Sequence, residues 1–289
     1  MIYLILSVVA SCIIFMVFKL YERYNITILQ AIITNYIIAC SSGLIAYGKP
    51  VPFSSLPSFD WFPGAITLGF IFISVFTCMA ITTQRNGLSV VAVSSKMSVA
   101  LPILFGIIVY KEATGFMKVT GILLALIAVY LTSVKNKDGL MIDRKNLIFP
   151  VLVFIGSGVI DTSLKYLETN YVKVSDISLF SATIFGCAAL IGINILIFKY
   201  FQGTLHLQFK NIIAGIALGI PNYFSVFFLI KALRHAGMDS STAFTVNNVA
   251  ILVVSTLLGI LIFREKLIPK NWVGLALAVI SLLMVTAAV

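Results

Sequence analysis

An ammonium group deep in an apolar run offers more chemistry than anything else in this chain of 289 residues. Lys96 stands eight residues into the run Leu88 to Tyr110, which also holds Pro102. The run is long enough to cross a bilayer. At ~1.5 Å per residue, Lys96 lies roughly 12 Å from the start of the span. An isolated charge at that depth costs several kcal/mol, so an intramembrane lysine is read first as part of a functional site. It would hold a substrate carboxylate or phosphate, or pair with an internal acid. The competing reading is an interfacial anchor whose methylenes lie along the helix. Ser89, Ala92 and Ala100 lie on the Lys96 face of that helix. Small neighbours leave room for a partner, and they equally suit close helix packing.

Four further residues join Lys96 as candidates for substrate binding: Asp161, Asn222, Thr245 and Asn248. Asp161 is an acid in an apolar span near Lys165 and Glu168. It reads as a Lys96 partner, a proton carrier or an interfacial charge. In the run 240–263, Ser241, Thr245, Asn248, Ser255 and Thr256 fall within an arc of about 100° on a helix. Such a stripe must face protein or water. It serves as interhelical glue or as a cavity wall, and Asn248 at mid-span favours the cavity. Pro221-Asn222, with Ser225 a turn on, sits mid-run. A proline there frees the Ala217 carbonyl and bends the helix, as in a cavity wall or a packing kink.

Other chemistries find no support. The chain has no His-Glu-x-x-His and no Gly-x-Ser-x-Gly. Gly156-Ser157-Gly158 and Gly158-Val159-Ile160-Asp161 only echo intramembrane protease motifs. His206 and His235 lie in or beside connections, and no phosphate-cradling Gly loop occurs. No enzyme, cofactor or metal site is expected. Cys12, Cys40, Cys78 and Cys187 all lie in apolar runs and read as small buried hydrophobes. The formal charge of +10 could point to nucleic acid. The basic residues punctuate the ends of apolar runs instead, as topology signals do, so nucleic acid is not a partner.

The elements that must position these residues follow from composition. The chain is 60% hydrophobic and 10% charged, where soluble domains carry ~25% charged residues. Its mean hydropathy is +1.09. The expected class is all-α and polytopic in the membrane, since continuous runs of about 20 residues exclude a β-barrel. Breaks at charged, Pro and Gly clusters delimit spans near 2–20, 26–47, 62–84, 88–110, 115–134, 147–166, 176–198, 211–233, 240–263 and 270–288. The first reads as an uncleaved span. The connections are short, the longest being the polar stretches 49–60 and 135–146.

The second half echoes the first. Residues 66–87 align without a gap to 216–237, matching Ile66, Leu68, Gly69 and Gly87 to Ile216, Leu218, Gly219 and Gly237. Lys19 and Glu22 match Lys165 and Glu168. Lys111-Glu112 with Gly121 matches Arg264-Glu265 with Gly274. At that last offset Ser95, beside Lys96, is the mate of Asn248. Two repeats, 1–140 and 141–289, each with five spans, must enter the membrane in opposite directions. Inverted repeats of this kind build a midplane site at their interface.

The order of spans and the stretches PILFGIIVYKEATGFMKVTG (102–121) and STLLGILIFREKLIPKNWVG (255–274) resemble the EamA-type permeases of the drug/metabolite transporter superfamily. Those proteins have ten helices, and the fourth helix of each repeat ends in Gly-Glu or a close variant. Lys111 and Arg264 stand where the family often has Gly, and Ser255 stands where the first copy has Pro102. Glu112 and Glu265 read as helix-end packing devices at the membrane surface. The resemblance implies a secondary transporter in the plasma (inner) membrane that moves a small metabolite, anionic or zwitterionic, by alternating access. The partners are that metabolite and the bilayer, with the protein a monomer or homodimer. A channel or a small-molecule-binding scaffold is the alternative. The resemblance places both termini in the cytoplasm. The Lys/Arg count, twelve in the connections after odd-numbered spans and seven in the others, points the opposite way.

Overall fold

The computed structural model describes residues 2–50, 53–101, 104–105, 115–133, 144–235 and 240–287. They form α1 (Ile2–Arg23), α2 (Ile28–Tyr47), α3 (Phe62–Asn86), α4 (Leu88–Met97), α5 (Phe116–Ser133), α6 (Arg144–Tyr171), α7 (Ile177–Phe201), α8 (Phe209–His235), α9 (Ser240–Leu261) and α10 (Pro269–Ala287). Two short 3-10 turns, Phe53–Ser58 and Val174–Asp176, join them, and no strand occurs among the described residues. Six helices are long and apolar enough to cross a membrane: α1, α2, α3, α6 over Leu147–Leu164, α7, and α8 over Phe209–Leu229. The others carry shorter apolar stretches. These lengths and compositions describe a multi-pass membrane protein. Helix is the conformation that lets each segment bond its own backbone where no water can. The hydroxyls in the spans follow suit, as Thr77, Thr82, Thr83 and Thr183 each donate to the carbonyl one turn back.

Helix boundaries fall close to the expected spans. In the fourth, α4 ends at Met97, Ser98–Val99 form a turn, residues 100–101 and 104–105 are helical again, and the remainder of 102–110 lies outside the described residues. One smaller departure also occurs. The stretch 49–60 is not solvated throughout, because Phe59 stacks on the buried Trp61 at 4.9 Å and Trp61 meets Phe180 edge-on at 5.5 Å. α8 runs through Pro221 as one helix.

The halves 1–140 and 141–289 interleave. The most extensive packings cross between them: α5 on α10, α2 on α8, α1 on α8, α2 on α7, α3 on α6 and α3 on α7. Glycines make the closest approaches. A Cβ on Gly69 would stand 2.8 Å from Ala188 N in α7, and one on Gly219 would stand 2.8 Å from Asn35 O in α2. Inside these seams the core is aromatic, with Phe18, Tyr36, Phe72, Phe76 and Phe185 in ring contact. α4, α6, α9 and α1 meet beside this core, and they position the candidate site.

Candidate functional site

The interruption of α4 has a cause in the sequence. Residue 102 is proline, so it has no N–H to offer the carbonyl of Ser98 four residues earlier. The Ser98 carbonyl accepts from Leu101 N at 2.9 Å instead, and Ser98–Val99 form a turn. The hydroxyls tighten the bend: Ser98 Oγ donates to Ser95 O at 2.6 Å and Ser95 Oγ to Ala92 O at 3.2 Å. Lys96 therefore sits in the last turn of a ten-residue helix. The negative end of a helix favours a cation there. Pro102 itself lies outside the described residues.

Asp161, on α6 of the other half, faces this bend. Its Oδ2 lies 3.5 Å from Ser98 Oγ, a long contact because the single hydroxyl proton is already directed at Ser95 O. Asp161 is accessible, while Gly158 and Ile160 on the same helix are buried. It interacts electrostatically with Lys96. Lys96 is half-buried and also interacts electrostatically with Cys12 of α1. Lys96 and Asp161 do not touch as an ion pair, and among the described residues Lys96 Nζ has no hydrogen-bond acceptor. The expected pairing in the empty state thus takes a looser form: opposite charges from two halves interact without an ion-pair contact.

α9 supplies the polar wall of the seam with α4. Ser255 is fully buried and donates to Leu252 O at 3.1 Å. Among the described residues, three buried polar atoms in the α4–α9 pair have no hydrogen-bond partner: Ser94 Oγ, Asn247 Oδ1 and Thr256 Oγ1. Each such atom costs about 1–3 kcal/mol when left unmade. Asn248, the expected residue, is half-buried beside Asn247. Thr245 lies in α9, and its side chain, like that of Ser241, is outside the described set. Ala92 and Ala100 are buried to 0% and 1% exposure, so they serve close packing.

Asn222 goes elsewhere. Its Nδ2 donates to Asn35 Oδ1 of α2 at 3.1 Å, both residues are buried, and Ser225 Oγ returns to Asn222 O at 2.8 Å. With Ser7 Oγ donating to Ser225 O at 2.9 Å, this network fastens α8 to α1 and α2. It does not join the Lys96 group, because the Asn222 amide points across the α2–α8 seam.

Glu265 was not among the expected site residues, and it is the second charge turned inward. α9 ends at Leu261, and Arg264 adopts φ +53. Glu265 N then donates to Gly259 O at 3.0 Å, folding the side chain back along α9. Its Oε1 accepts from Leu88 N at 2.7 Å and its Oε2 from Ser89 Oγ at 3.3 Å. It caps the start of α4, the helix that carries Lys96. A left-handed residue is the usual place for glycine, which explains why Arg264 looks out of place in sequence. Ser89, read above as room beside Lys96, holds this carboxylate. Glu112, Lys111 and Gly106 to Thr114 generally lie outside the described residues.

No family model matches the chain. A protein of Haemophilus influenzae, described as uncharacterized, is 28% identical over 282 residues, covering 94% of this chain and 93% of that protein. A crystal structure, titled only as that of a protein, superposes with a TM-score of 0.56 at 14% identity and covers 98% of this chain and 96% of its own. The second likeness concerns the fold alone.

Proposed function

We propose that the protein is a secondary transporter of the inner membrane, an EamA-type permease of the drug/metabolite transporter superfamily. On this reading it moves a small anionic or zwitterionic metabolite by alternating access. One observation carries the reading: Lys96 and Asp161, charges of opposite sign from opposite halves, interact across the α4–α6 packing without closing into an ion pair. Charges kept at membrane depth without a contact pair mark a site for a charged ligand. Lys96 would take the substrate anion, Asp161 would exchange partners with it, and Asn248 and Thr245 would line the wall. A substrate that draws the two charges together biases the halves only through its differential affinity for the two states.

The duplication is supported by packing as well as by sequence. If each helix is matched to the one five places on, α2–α8 corresponds to α7–α3, α1–α8 to α6–α3, and α1–α9 to α6–α4, and all of these pairs pack. Gly69 and Gly219, mates in the gapless alignment, make equivalent close approaches. Ser94 and Asn247, mates at the offset that relates Glu112 to Glu265, are both buried with an unpartnered oxygen. These are properties expected of ten spans in two inverted repeats. We further propose that both termini face the cytoplasm, against the basic-residue count. A reporter fused at Val289 that is active only outside the cytoplasm overturns that orientation.

The decisive experiment is counterflow in proteoliposomes. Candidate metabolites are first ranked by thermal stabilisation of the purified protein, and the best is loaded inside. Saturable exchange that Lys96→Met abolishes supports the reading. Non-saturable flux, or no flux with any stabilising compound, overturns it.

A further inference from the structure

The seat of Glu265 is built from both halves of the chain. Gly87 ends α3 with φ +107 and opens α4; a Cβ there would stand 2.6 Å from Glu265 Oε1. Gly259, on the last turn of α9, would place a Cβ 2.7 Å from Oε2. A side chain at either position would push the carboxylate out. The donors it receives, Leu88 N and Ser89 Oγ, belong to residues 0% and 2% exposed. The carboxylate, itself half-buried, therefore occupies a socket whose floor is the positive end of α4. It closes the seam between α4 and α9 at the end of the bundle where α3 ends and α4 begins.

That seam also covers Cys12. This residue is 1% exposed, its Sγ lies 4.0 Å from Ile251 O of α9, and it interacts electrostatically with Lys96. We propose that Glu265 is a latch between the two halves: seated, it shuts the path from the α4 start to Lys96, and it leaves its socket when that end opens. This rests on the transporter reading for its purpose. Its test needs no substrate, so the two stand or fall separately.

The test is mixed-disulfide formation at Cys12 with a small charged methanethiosulfonate reagent, methanesulfinate being the leaving group. The protein is purified in detergent with Cys40, Cys78 and Cys187 replaced by alanine. Glu265→Ala empties the socket. Gly259→Ala leaves Glu265 in the chain but fills the socket, and alanine at a helical glycine keeps the fold. Loss of a cap on this scale raises the rate about tenfold in both variants. Unchanged rates in both overturn the latch. A rise in Glu265→Ala alone also overturns it, because occupancy of the socket would then not be what matters. If Glu265→Ala fails to fold, Gly259→Ala and Glu265→Gln decide. A latch that passes while no metabolite gives counterflow leaves the device standing and removes the transporter reading.

Discussion

α4 and α9 stand at matching places in the two halves of the sequence, before Lys111-Glu112 and Arg264-Glu265, yet they are built differently. α9 runs unbroken over 22 residues and carries neutral polar groups at 247, 248, 255 and 256. α4 stops after ten residues and carries the charge, Lys96, at the break. The mates of the decisive residues explain the difference: Pro102 corresponds to Ser255 and Lys96 to Val249. A serine keeps its N–H, so α9 continues, and a valine needs no counter-charge. On the transporter reading, one copy would form the charged, bent side of the site and the other its straight polar wall. A site made of two copies of a helix need not be symmetric, and this asymmetry gives it a direction in which to bind a polar ligand.

Removing the charge should have the largest effect. Lys96→Met makes α4 resemble α9 in chemistry, and counterflow should fall about 100-fold, as expected when a charge pairing is lost from a poorly solvated site. Helical content should stay as in the wild type, since a buried charge without an ion-pair contact is not what holds the helices together. Circular dichroism beside the flux assay separates the two. Wild-type flux would reduce Lys96 to an interfacial anchor.

Removing the break comes next. Pro102→Ser copies the α9 residue and restores the N–H that Ser98 O lacks. α4 should then continue past Met97, drawing Ser98 away from Asp161. The expected loss is about tenfold in flux, roughly 1.4 kcal/mol of misplaced geometry. Hydrogen exchange at Ala100 and Leu101 should slow in parallel. The reciprocal Ser255→Pro should cost the fold about 3 kcal/mol, because α9 has its carbonyls committed to the continuous ladder. Equal tolerance of both changes would show that the α4 break is incidental.

The third test concerns the wall. Asn248→Ala should raise KM about fivefold with kcat unchanged, the worth of one neutral hydrogen bond. Asn247→Ala should act mainly on stability, because Asn247 is 2% exposed while Asn248 is half-buried. A reversed pattern would mean that α9 turns its other edge to the site.

These positions differ in how far they could be read from the sequence. Helix placement was legible because an apolar run bounded by charges has one solution in a bilayer, and the observed ends agree within a few residues outside α4. Pro102 announced a missing N–H, but where the helix stops depends on Leu101 N capturing Ser98 O. The stripe on α9 was legible as a stripe. Which of Asn247 and Asn248 is buried depends on the rotation of α9 against α4, a tertiary fact. Glu265 was legible as a helix-end packing device, but its inward turn was not, because hydropathy ends before it. Its inward turn requires the left-handed Arg264 and two glycines, Gly87 and Gly259, that are far apart in sequence. The usual glycine at position 264 was the available signal.

The smallest functional effect is expected at Asn222, and it tests where the site ends. A mid-span proline and amide on α8 look like cavity wall in sequence, while the structure gives the amide to Asn35 and the adjoining turn to Ser7 through Ser225. Asn222→Ala leaves Asn35 Oδ1 buried without a donor, beside an Asn35 Nδ2 that already lacks an acceptor. Stability should fall by about 1–3 kcal/mol, read as an earlier thermal transition. The protein that remains folded should transport with unchanged KM, because the amide faces α2 and not Lys96. The double change Asn35→Leu, Asn222→Leu should recover much of the lost stability, since two apolar groups need no partners. A rise in KM that tracks Asn222→Ala without a shift in melting would extend the site from the α4–α9 seam to α8, and the comparison of the two helices would then be too narrow to describe how the ligand is held.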